Sequence, residues 1–560
     1  MRILIINLAR LGDLIQTIGL IKGLVGKYPD AQIDFLALSS FAPIIEQFDH
    51  INGIIALNDQ IILDNLQNNL WDAYSEVKDK IDHLNCENYD LIVNPIAPIQ
   101  SSLIGYLIRG KEKLGMFYNK DREKTITSSS TAFHLSYGHG DGGHTFNLVD
   151  IFSGVGKVST YCEQFSLSPK EYARQKAEIF WKDNHLGRYK TIGFHIGASN
   201  ANRAWKPENF RSVIDRLIAR QQYKVILFGG YKEQGLSSYF SDIKSDYFLD
   251  LIGKTNLDEL IAFIAKLDIF VSNDTGPMHI AAATGRRMIN IFLGPASVWA
   301  TGPYSDKAIV FEPNIECHPC SYDNTCSHLN CHDFINPEAV EQVITACLNE
   351  EENLMFADKI RYWQSTRDIF ALQHFVPVQK REIRQRELLF ELKRCVWAMT
   401  LFRELEDNGN LADAYIDYLQ NYYVLPQYDF SEILSKIVVL IELNRELTDN
   451  LPLLSSMQTI SIESINEIQS NWAVVRKQKE NLFSEAENVP ERIDFVSYAR
   501  IRESSLSGDN FADLAIETAN IYSTLGVQLT ILMDLLKKRE RGFLREARPC
   551  IKEVSSCSGF

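Results

Sequence analysis

The stretch IFVSNDTGPMHIAAAT at residues 269–284 decides the fold class of this chain. An apolar run comes first, short polar residues and a glycine follow, and small and apolar residues continue at helical spacing. This order predicts a buried strand that turns tightly into a helix, because glycine and short polar side chains allow the turn. Units of this kind are typical of parallel α/β sheets, which bind ligands at the carboxyl ends of their strands.

The same pattern recurs over the first 350 residues of the chain. The apolar runs that predict strands are at 2–8, 33–38, 91–95, 191–195, 224–228, 269–272 and 288–292, and amphipathic stretches follow most of them. The alternation restarts at residue 189, after a polar helical stretch at 169–185. We therefore expect two Rossmann-like doubly wound domains, at 1–165 and 185–350, with a cleft between them.

Glycine use separates the rest of the chain from these two domains. Residues 1–350 hold 25 of the 30 glycines, whereas helical periodicity dominates 381–406, 430–450, 460–486 and 511–541. We expect an all-helical accessory domain at 355–545.

Charge and hydropathy exclude several classes of protein. The net charge is −15, from 72 acidic and 57 basic residues, which argues against nonspecific nucleic-acid binding. No stretch reaches the roughly 18 uncharged apolar residues that span a bilayer, and the first residues lack a signal-peptide cleavage site. We expect a cytoplasmic protein with at most peripheral membrane contact. The basic run at 537–548 is interleaved with acids, which favours a solvated helix face.

Three more loops after predicted strands carry candidate site residues. In LARLGDLIQT at 8–17, Asp13 is either a helix N-cap or a group held at the cleft. In HIGASNANRAWKP at 195–207, Ser199, Arg203 and Lys206 are suited to cradling a diphosphate. In FGGYKE at 228–233, Glu233 can accept ribose hydroxyls, although a plain turn also explains the two glycines.

Taken in order, these segments resemble glycosyltransferase family 9, the heptosyltransferases of lipopolysaccharide core assembly. The resemblance rests on LGDLIQTIG at 11–19, YDLIV at 89–93, GKTNLDEL at 253–260, SNDTGPMHIAAATG at 272–285 and FLGP at 292–295, and it covers about residues 1–345. It implies a GT-B fold, in which the first domain binds the acceptor and the second domain binds the sugar nucleotide. It also implies an inverting reaction without a catalytic metal.

The resemblance assigns roles residue by residue. Asp13 matches the general base, which must lie within hydrogen-bond reach of the acceptor hydroxyl. The residues implied to bind the donor are Ser199, Arg203, Lys206, Glu233, Asp274, Thr275, Gly276 and His279, and those implied on the acceptor side are Gly12 and His144. The segment NPIAPIQ at 94–100 departs from the family pattern on the acceptor side, and the helical domain has no counterpart in ordinary members.

Four cysteines lie close together in the sequence, at Cys317, Cys320, Cys326 and Cys331. Four thiolates in one loop suit a tetrahedral zinc or iron ion, so we expect a structural metal there, with reduced thiols as the alternative. Some members of the resembled family hold iron in a cysteine-rich insert.

The function expected from these observations is transfer of a sugar from a nucleotide-diphosphate donor, ADP-heptose above all, to a glycan, glycolipid or polypeptide. Two alternatives stay open: a non-catalytic sugar-nucleotide-binding or scaffold protein, and an epimerase of sugar nucleotides on a related fold. We also expect the helical domain to bind a partner or the acceptor, or to form a homo-oligomer.

Overall fold

The computed structural model describes residues 1–96, 98–119, 123–137, 144–158, 165–320, 326, 328–351, 357–402, 408–451, 462–489, 494–506 and 511–540. The chain divides into two compact units. The first unit comprises Met1–Arg381, Ala398–Tyr423 and Ser497–Asn510, and the second comprises Glu382–Trp397, Val424–Val496 and Phe511–Phe560.

The first domain of the first unit is built on a six-stranded sheet in the order β3-β2-β1-β4-β5-β6. Its strands are β1 (Arg2–Ile6), β2 (Gln32–Leu38), β3 (Ile51–Leu57), β4 (Tyr89–Asn94), β5 (Gly110–Tyr118) and β6 (Lys124–Ile126). Its helices are α1 (Leu11–Gln16), α2 (Ile18–Lys27), α3 (Ala42–Ile45), α4 (Asp59–Asn68), α5 (Leu70–Cys86), α6 (Ile99–Leu107), α7 (Ser129–Ser136) and α8 (Leu148–Val155). All pairings are parallel except that of β5 with β6. Continuous apolar strands such as β1 are buried because helices cover the sheet.

The second domain has an eight-stranded sheet in the order β14-β13-β12-β11-β10-β7-β8-β9. Its strands are β7 (Lys190–His195), β8 (Tyr223–Phe228), β9 (Phe248–Asp250), β10 (Ile269–Asn273), β11 (Arg287–Ile291), β12 (Ala308–Pro313), β13 (Ile360–Arg367) and β14 (Gln373–Pro377). Its helices are α9 (Glu171–Asp183), α10 (Pro207–Ala219), α11 (Leu257–Ile264), α12 (Gly276–Ala283), α13 (Val298–Thr301) and α14 (Pro337–Asn349).

The hairpin β13–β14 corrects the expectation of an all-helical region from residue 355. Both strands pair antiparallel at the edge of the second sheet, β13 with β12 and β14 with β13. Their turn contains no glycine: Asp368 Oδ1 accepts hydrogen bonds from the backbone N–H groups of Phe370 and Leu372, and Ala371 takes a positive φ of 63°. An aspartate-capped turn without glycine gives little sequence signal, so the hairpin could not be recognised from the pattern.

Helices dominate after the hairpin, as predicted. They are α15 (Gln385–Phe402), α16 (Asn408–Tyr422), α17 (Ser431–Asn450), α18 (Ile462–Glu487), α19 (Asp494–Ser504) and α20 (Phe511–Glu540), with the two-residue strands β15 (Arg381–Glu382) and β16 (Tyr423–Val424). In the second unit, α17 and α20 bury leucines at helical spacing, and Asn444 Nδ2 donates to the backbone oxygen of Tyr522 at 2.8 Å. Among the described helices, none combines the length and the hydropathy needed to cross a membrane.

The two sheets place their loops at a common cleft within the first unit. Helix α1 of the first domain packs on α12 of the second domain. Leu11 lies against Gly276, and Gly12 lies so close to His279 that a Cβ atom at Gly12 would come 2.9 Å from the imidazole Cδ2. The carboxyl ends of β1 and β10 therefore face each other, as expected for a ligand site between two doubly wound sheets.

Candidate functional site

Asp13 lies at the third position of α1, where the chain turns from β1 into the cleft. Its Oδ2 accepts a hydrogen bond from the backbone N–H of Arg10 at 3.3 Å. Burial raises the pKa of Asp13, the bond from Arg10 and the charges of Arg10 and Arg203 lower it, and the charge of Asp274 raises it. The net effect is a carboxylate more basic than an exposed aspartate.

Asn7 fixes the turn that carries Asp13, and the sequence analysis missed it. The buried Nδ2 donates to the backbone oxygen of Asp13 at 3.2 Å and to Thr17 Oγ1 at 2.9 Å, while Oδ1 accepts from the N–H of Ala9 at 3.0 Å. A polar residue at the end of a continuous apolar strand was the signal that could have identified it.

Arg203 reaches from the loop after β7 to the loop after β10. Its Nη1 forms an ion pair with Asp274 Oδ2 at 2.7 Å, and its other terminal nitrogen donates to the hydroxyl of Ser199. Both partners of the ion pair are nearly buried. Burial raises the pKa of Asp274, and Arg203 opposes that rise through its charge and its hydrogen bond. The guanidinium is thus held rigidly at the cleft.

Asn273 organises the loop that carries Arg203, and it too was missed. Its Nδ2 donates to the backbone oxygens of Ile196 and Gly197 at 3.0 and 3.2 Å, and its Oδ1 accepts from the N–H of Trp205 at 3.0 Å. One buried amide therefore connects β10 to both ends of the loop at residues 196–205.

Helix α12 begins at this point, directly after Asp274 and Thr275. Thr275 is the N-cap residue and Gly276 the first helical residue, so the positive end of the helix dipole lies at the cleft. Pro277 has no N–H, and the N–H of Met278 donates to the backbone oxygen of Thr275 at 3.0 Å. His279 is buried, and burial together with the charge of Arg203 lowers its pKa to about 4. The imidazole is therefore neutral at physiological pH, and its Nδ1 has no hydrogen-bond partner among the described residues.

Glu233 lies beside the start of the same loop. Its Oε2 accepts from the N–H of Gly230 at 2.8 Å, and its Oε1 comes within 2.9 Å of where a Cβ atom at Gly197 would lie. His195 at the end of β7 is buried next to it; burial lowers the pKa of His195 to about 4, and the charge of Glu233 counters part of that shift.

Two predicted site residues are engaged elsewhere. Lys206 forms an ion pair with Asp333 at 2.5 Å instead of joining the Arg203–Asp274 pair. His144 lies among the aromatic rings of α7, with Nε2 3.1 Å from His134 Nδ1 and Nδ1 2.7 Å from the backbone oxygen of Phe146. Burial and the neighbouring His134 lower the pKa of His144 to about 3.

The four cysteines do not support the expected metal site. Within the described residues, no group of three His, Cys, Asp or Glu side chains is arranged to hold a metal ion. Cys331 is buried in the core of the second domain, whereas Cys317 is exposed. Burial raises the pKa of the Cys320 and Cys331 thiols, and the neighbouring cysteines raise it further. Residues 321–325 and 327 lie outside the described residues.

The described residues near these cysteines, 317–320 and 328–335, are called the cysteine segment. They pack against the loop that carries Arg203. The backbone N–H of Cys320 donates to the oxygen of Gly294 at 3.0 Å, and His332 Nε2 lies 3.1 Å from the backbone oxygen of Asn202. The indole N–H of Trp205 donates to the backbone oxygen of Ile335 at 3.1 Å.

Two doubly wound domains that bring charged loops together across a cleft define the GT-B fold, the architecture of many glycosyltransferases that use sugar nucleotides. The solved structure of the glycosyl transferase family 9 from Veillonella parvula DSM 2008 shares this fold, with a TM-score of 0.52, 20% identity, and coverage of 62% of this chain and 97% of that chain. Residues 80–331 match the model of glycosyltransferase family 9 (heptosyltransferase). Over these residues the chain is similar to glycosyltransferase family 9, and this match together with its relatives identifies the chain as a glycosyltransferase.

The curated relatives of this chain are named as heptosyltransferases. Lipopolysaccharide heptosyltransferase 2 of Escherichia coli (strain K12) is 24% identical over 379 residues, which are 63% of this chain and all of that protein. Lipopolysaccharide heptosyltransferase 3 of Escherichia coli is 26% identical over 306 residues, which are 54% of this chain and 85% of that protein. The family and the fold expected from the sequence are thereby confirmed.

Proposed function

We propose that this protein transfers heptose from ADP-heptose to an acceptor hydroxyl with inversion at the anomeric carbon. The observation that carries the proposal is the assembly of Asp13, Arg203, Asp274 and His279 from two domains at one cleft. The names of the relatives support heptose as the sugar and a lipopolysaccharide or lipooligosaccharide as the acceptor.

Asp13 is the proposed general base. The acceptor oxygen attacks the anomeric carbon, the bond from that carbon to the diphosphate breaks, and the acceptor proton passes to the Asp13 carboxylate. A raised pKa suits this role, because a base accepts a proton more readily as its pKa approaches the operating pH.

Arg203 and the N-terminus of α12 are the proposed diphosphate site. As the leaving group departs, its charge grows, and a guanidinium together with the positive end of a helix dipole stabilises it. In the structure Arg203 pairs with Asp274, which holds the guanidinium in place until phosphate oxygens compete for it. Glu233 is the proposed partner of the ribose hydroxyls, because its carboxylate borders the same loop.

The remaining parts of the chain have supporting roles in this proposal. The first domain binds the acceptor, with Gly12 and His144 on its side, and the second domain binds the donor. The helical region binds a partner or a second copy, and exposed valines on α17 (Val438 and Val439) support such a contact. Catalysis relies on Arg203 for positive charge, so we propose that it needs no metal ion.

The decisive experiment incubates the full chain with ADP-heptose, with and without a heptose-accepting lipopolysaccharide core, and analyses the products by mass spectrometry. Transfer that needs the acceptor and stops in Asp13→Asn supports the proposal. Asp30→Asn is the matched control, because Asp30 is an exposed carboxylate of the same domain. An altered sugar nucleotide without acceptor would identify an epimerase, and donor binding without any product would identify a scaffold.

A further inference from the structure

The carboxylate of Asp274 is held by side chains from two different loops. Among the described residues, two side chains hydrogen-bond it, and both bond the same oxygen: Arg203 Nη1 lies 2.7 Å from Oδ2, and Thr301 Oγ1 lies 3.4 Å from it. The Asp274 side chain is only 4% exposed. A carboxylate buried to this degree is costly when it loses a donor, because water cannot replace the lost hydrogen bond.

The hydroxyl of Thr301 has a second acceptor within reach. Its Oγ1 also lies 3.2 Å from the backbone oxygen of Ser297. A hydroxyl has one proton to donate, so it bonds either Ser297 or Asp274 at a given moment. The backbone oxygen of Ser297 also accepts the N–H of Thr301 at 3.0 Å, so it keeps a partner when the hydroxyl turns to Asp274.

Helix α13, which ends at Thr301, is fixed from two sides. The indole ring of Trp299 packs edge-on against that of Trp363 in the hairpin β13–β14, with centroids 5.5 Å apart. Just after the helix, the backbone oxygen of Gly302 accepts from Asn147 Nδ2 of the first domain at 2.8 Å. These contacts keep the Thr301 hydroxyl beside Asp274.

Arg203 is the cation that the proposed function assigns to the diphosphate. In the structure its two terminal nitrogens are engaged by Asp274 and by the hydroxyl of Ser199. Phosphate oxygens that draw Nη1 toward themselves therefore take a hydrogen bond and a countercharge away from Asp274. Donor binding thus carries a cost at Asp274 that another group has to offset.

The other titratable groups around Asp274 do not offset this cost. Asp13 of α1 is an acid, and its charge and that of Asp274 oppose each other. His279 of α12 is neutral at physiological pH, because burial and the charge of Arg203 lower its pKa to about 4. The charge of Arg10 acts on Asp13, whose carboxylate accepts the Arg10 N–H. The Thr301 hydroxyl is the donor that remains within reach.

We propose that Thr301 is a positioning residue for Arg203: its hydroxyl turns from Ser297 to Asp274 when a diphosphate draws the guanidinium away, and it thereby keeps Asp274 ionised. The inference rests on the proposed function, because it takes the diphosphate as the ligand of Arg203. In the structure, burial raises the pKa of Asp274, and both Arg203 and the hydrogen bond from Thr301 lower it. Without the hydroxyl, Asp274 either retains Arg203 or takes up a proton from the solvent, and both outcomes weaken donor binding at neutral pH.

Calorimetric titration of the full chain with ADP, in two buffers of different ionisation enthalpy, measures affinity and proton uptake together. Thr301→Val removes the hydroxyl and keeps the shape of the side chain. It should bind ADP about 10- to 100-fold more weakly than the wild type at about pH 8, because a hydrogen bond to a charged group is lost. Thr301→Ser, which retains a hydroxyl, should recover most of the affinity.

Proton uptake is the readout that a structural role of Thr301 would not change. In Thr301→Val the pKa of Asp274 should rise when Arg203 leaves it, and a group whose pKa rises on binding takes up a proton. This variant should therefore take up about one proton more than the wild type, and its affinity should recover as the pH falls toward about 6. The ionisation of ADP itself is common to all variants and cancels in the comparison.

Two controls make the result specific. Thr345→Val removes a hydroxyl from α14 of the same domain, where Oγ1 donates to the backbone oxygen of Gln342 at 2.9 Å, and it should bind ADP like the wild type. In an Asp274→Asn background the titrating carboxylate is gone, so Thr301→Val should cause no additional proton uptake there. Melting temperatures verify that each variant is folded.

Two results would overturn the role of Thr301 and leave the proposed function intact. One is an affinity and a proton uptake in Thr301→Val equal to those of the wild type. The other is a loss of affinity without additional proton uptake, which a purely structural role predicts. A wild type that binds no ADP would instead remove the proposed donor, and with it the ligand that this role of Thr301 requires.

Discussion

Asp13 is partly buried, and the cost of desolvating its carboxylate raises its pKa above that of an exposed aspartate. The backbone N–H of Arg10 and the neighbouring cations offset only part of that cost. Strain of this kind is typical of residues kept for chemistry. We therefore expect a substitution of Asp13 to lower activity and to raise stability.

Asp13→Asn should lower the transfer rate by about 10²- to 10⁴-fold, the usual contribution of a general base. It should also raise the melting temperature at neutral pH, because it removes a charge that the folded state disfavours. ADP affinity should stay at the wild-type level. Transfer kinetics, calorimetry and thermal unfolding check the three parts, and a lower melting temperature with normal turnover would contradict the role of Asp13.

The pH dependence of transfer should follow from the same raised pKa. Asp13 acts in its deprotonated form, so kcat/KM should fall as the pH is lowered through the pKa of the folded state. Because burial raises that pKa, the fall should begin above the value of about 3.9 for an exposed aspartate. ADP affinity measured over the same range separates this effect from protonation of Asp274. An acidic limb at or below the ordinary value would count against Asp13.

Arg203→Ala should weaken ADP binding by about 10- to 100-fold, since hydrogen bonds to charged groups contribute about 1.5–3 kcal/mol each. The variant also leaves Asp274 buried without its cation. Arg203→Lys should recover part of the affinity, because it restores the charge without the two-pronged geometry. Arg216→Ala, which breaks an exposed ion pair with Glu338 on the same domain, is the control and should leave ADP binding unchanged.

At the scale of elements, the loop at residues 196–206 depends on two neighbours for its shape. Asn273 holds it from the strand side, and the cysteine segment holds it from behind through His332. Gly294 packs directly against this loop. Its φ is 58°, and a Cβ atom there would come 2.6 Å from the backbone oxygen of Asn202. The cysteine segment therefore acts through packing on the loop of Arg203.

Gly294→Ala should reduce ADP affinity on the order of tenfold, because overlap with a backbone atom must push the loop away. Gly285→Ala is a matched control, since Gly285 also has a positive φ, of 68°, and nothing lies within 4 Å of where its Cβ atom would stand. Both variants should lose about 1–2 kcal/mol of stability from the left-handed conformation. Equal ADP affinity in the two variants would show that the loop does not depend on this contact.

At the scale of the whole molecule, the first unit is not a simple N-terminal half. It takes in Ala398–Tyr423 and Ser497–Asn510 from the helical region. Phe402 packs its ring edge-on against Phe146 at 5.2 Å, and Ser505 donates to the backbone oxygen of Ile126 at 3.4 Å. The helical region therefore contributes to the stability of the unit that holds the site.

A chain that ends at Arg381 retains both sheets and should still bind ADP, but it should unfold at a lower temperature than the full chain. In the full chain, Phe402→Ala should lower the free energy of unfolding by about 1–3 kcal/mol, because it removes a half-buried ring. Val474→Ala, at an exposed position of the second unit, is the control. Loss of ADP binding in a folded truncated chain would place part of the donor site in the helical region.

The sequence by itself determined the two doubly wound domains, because continuous apolar runs followed by glycine-containing turns have few other solutions. It also led to Asp13, Arg203, Asp274 and His279 as proposed site residues, since each belongs to a motif that follows a strand and whose order is readable along the chain. The sequence also predicted the helical region, because its helical periodicity extends over many turns.

Only the tertiary structure decided which groups meet. Asn7 and Asn273 look like ordinary strand ends in the sequence, and their function as buried braces depends on partners that burial brings into reach. Lys206 is a cation in the same sequence segment as Arg203, yet in the folded chain it forms an ion pair with Asp333. The apolar side chains of α6 predict a core-facing stripe, yet most of them face water, because serines and a glycine fit the narrow space on the sheet. Contacts between segments distant in sequence are set by packing, and local patterns do not encode them.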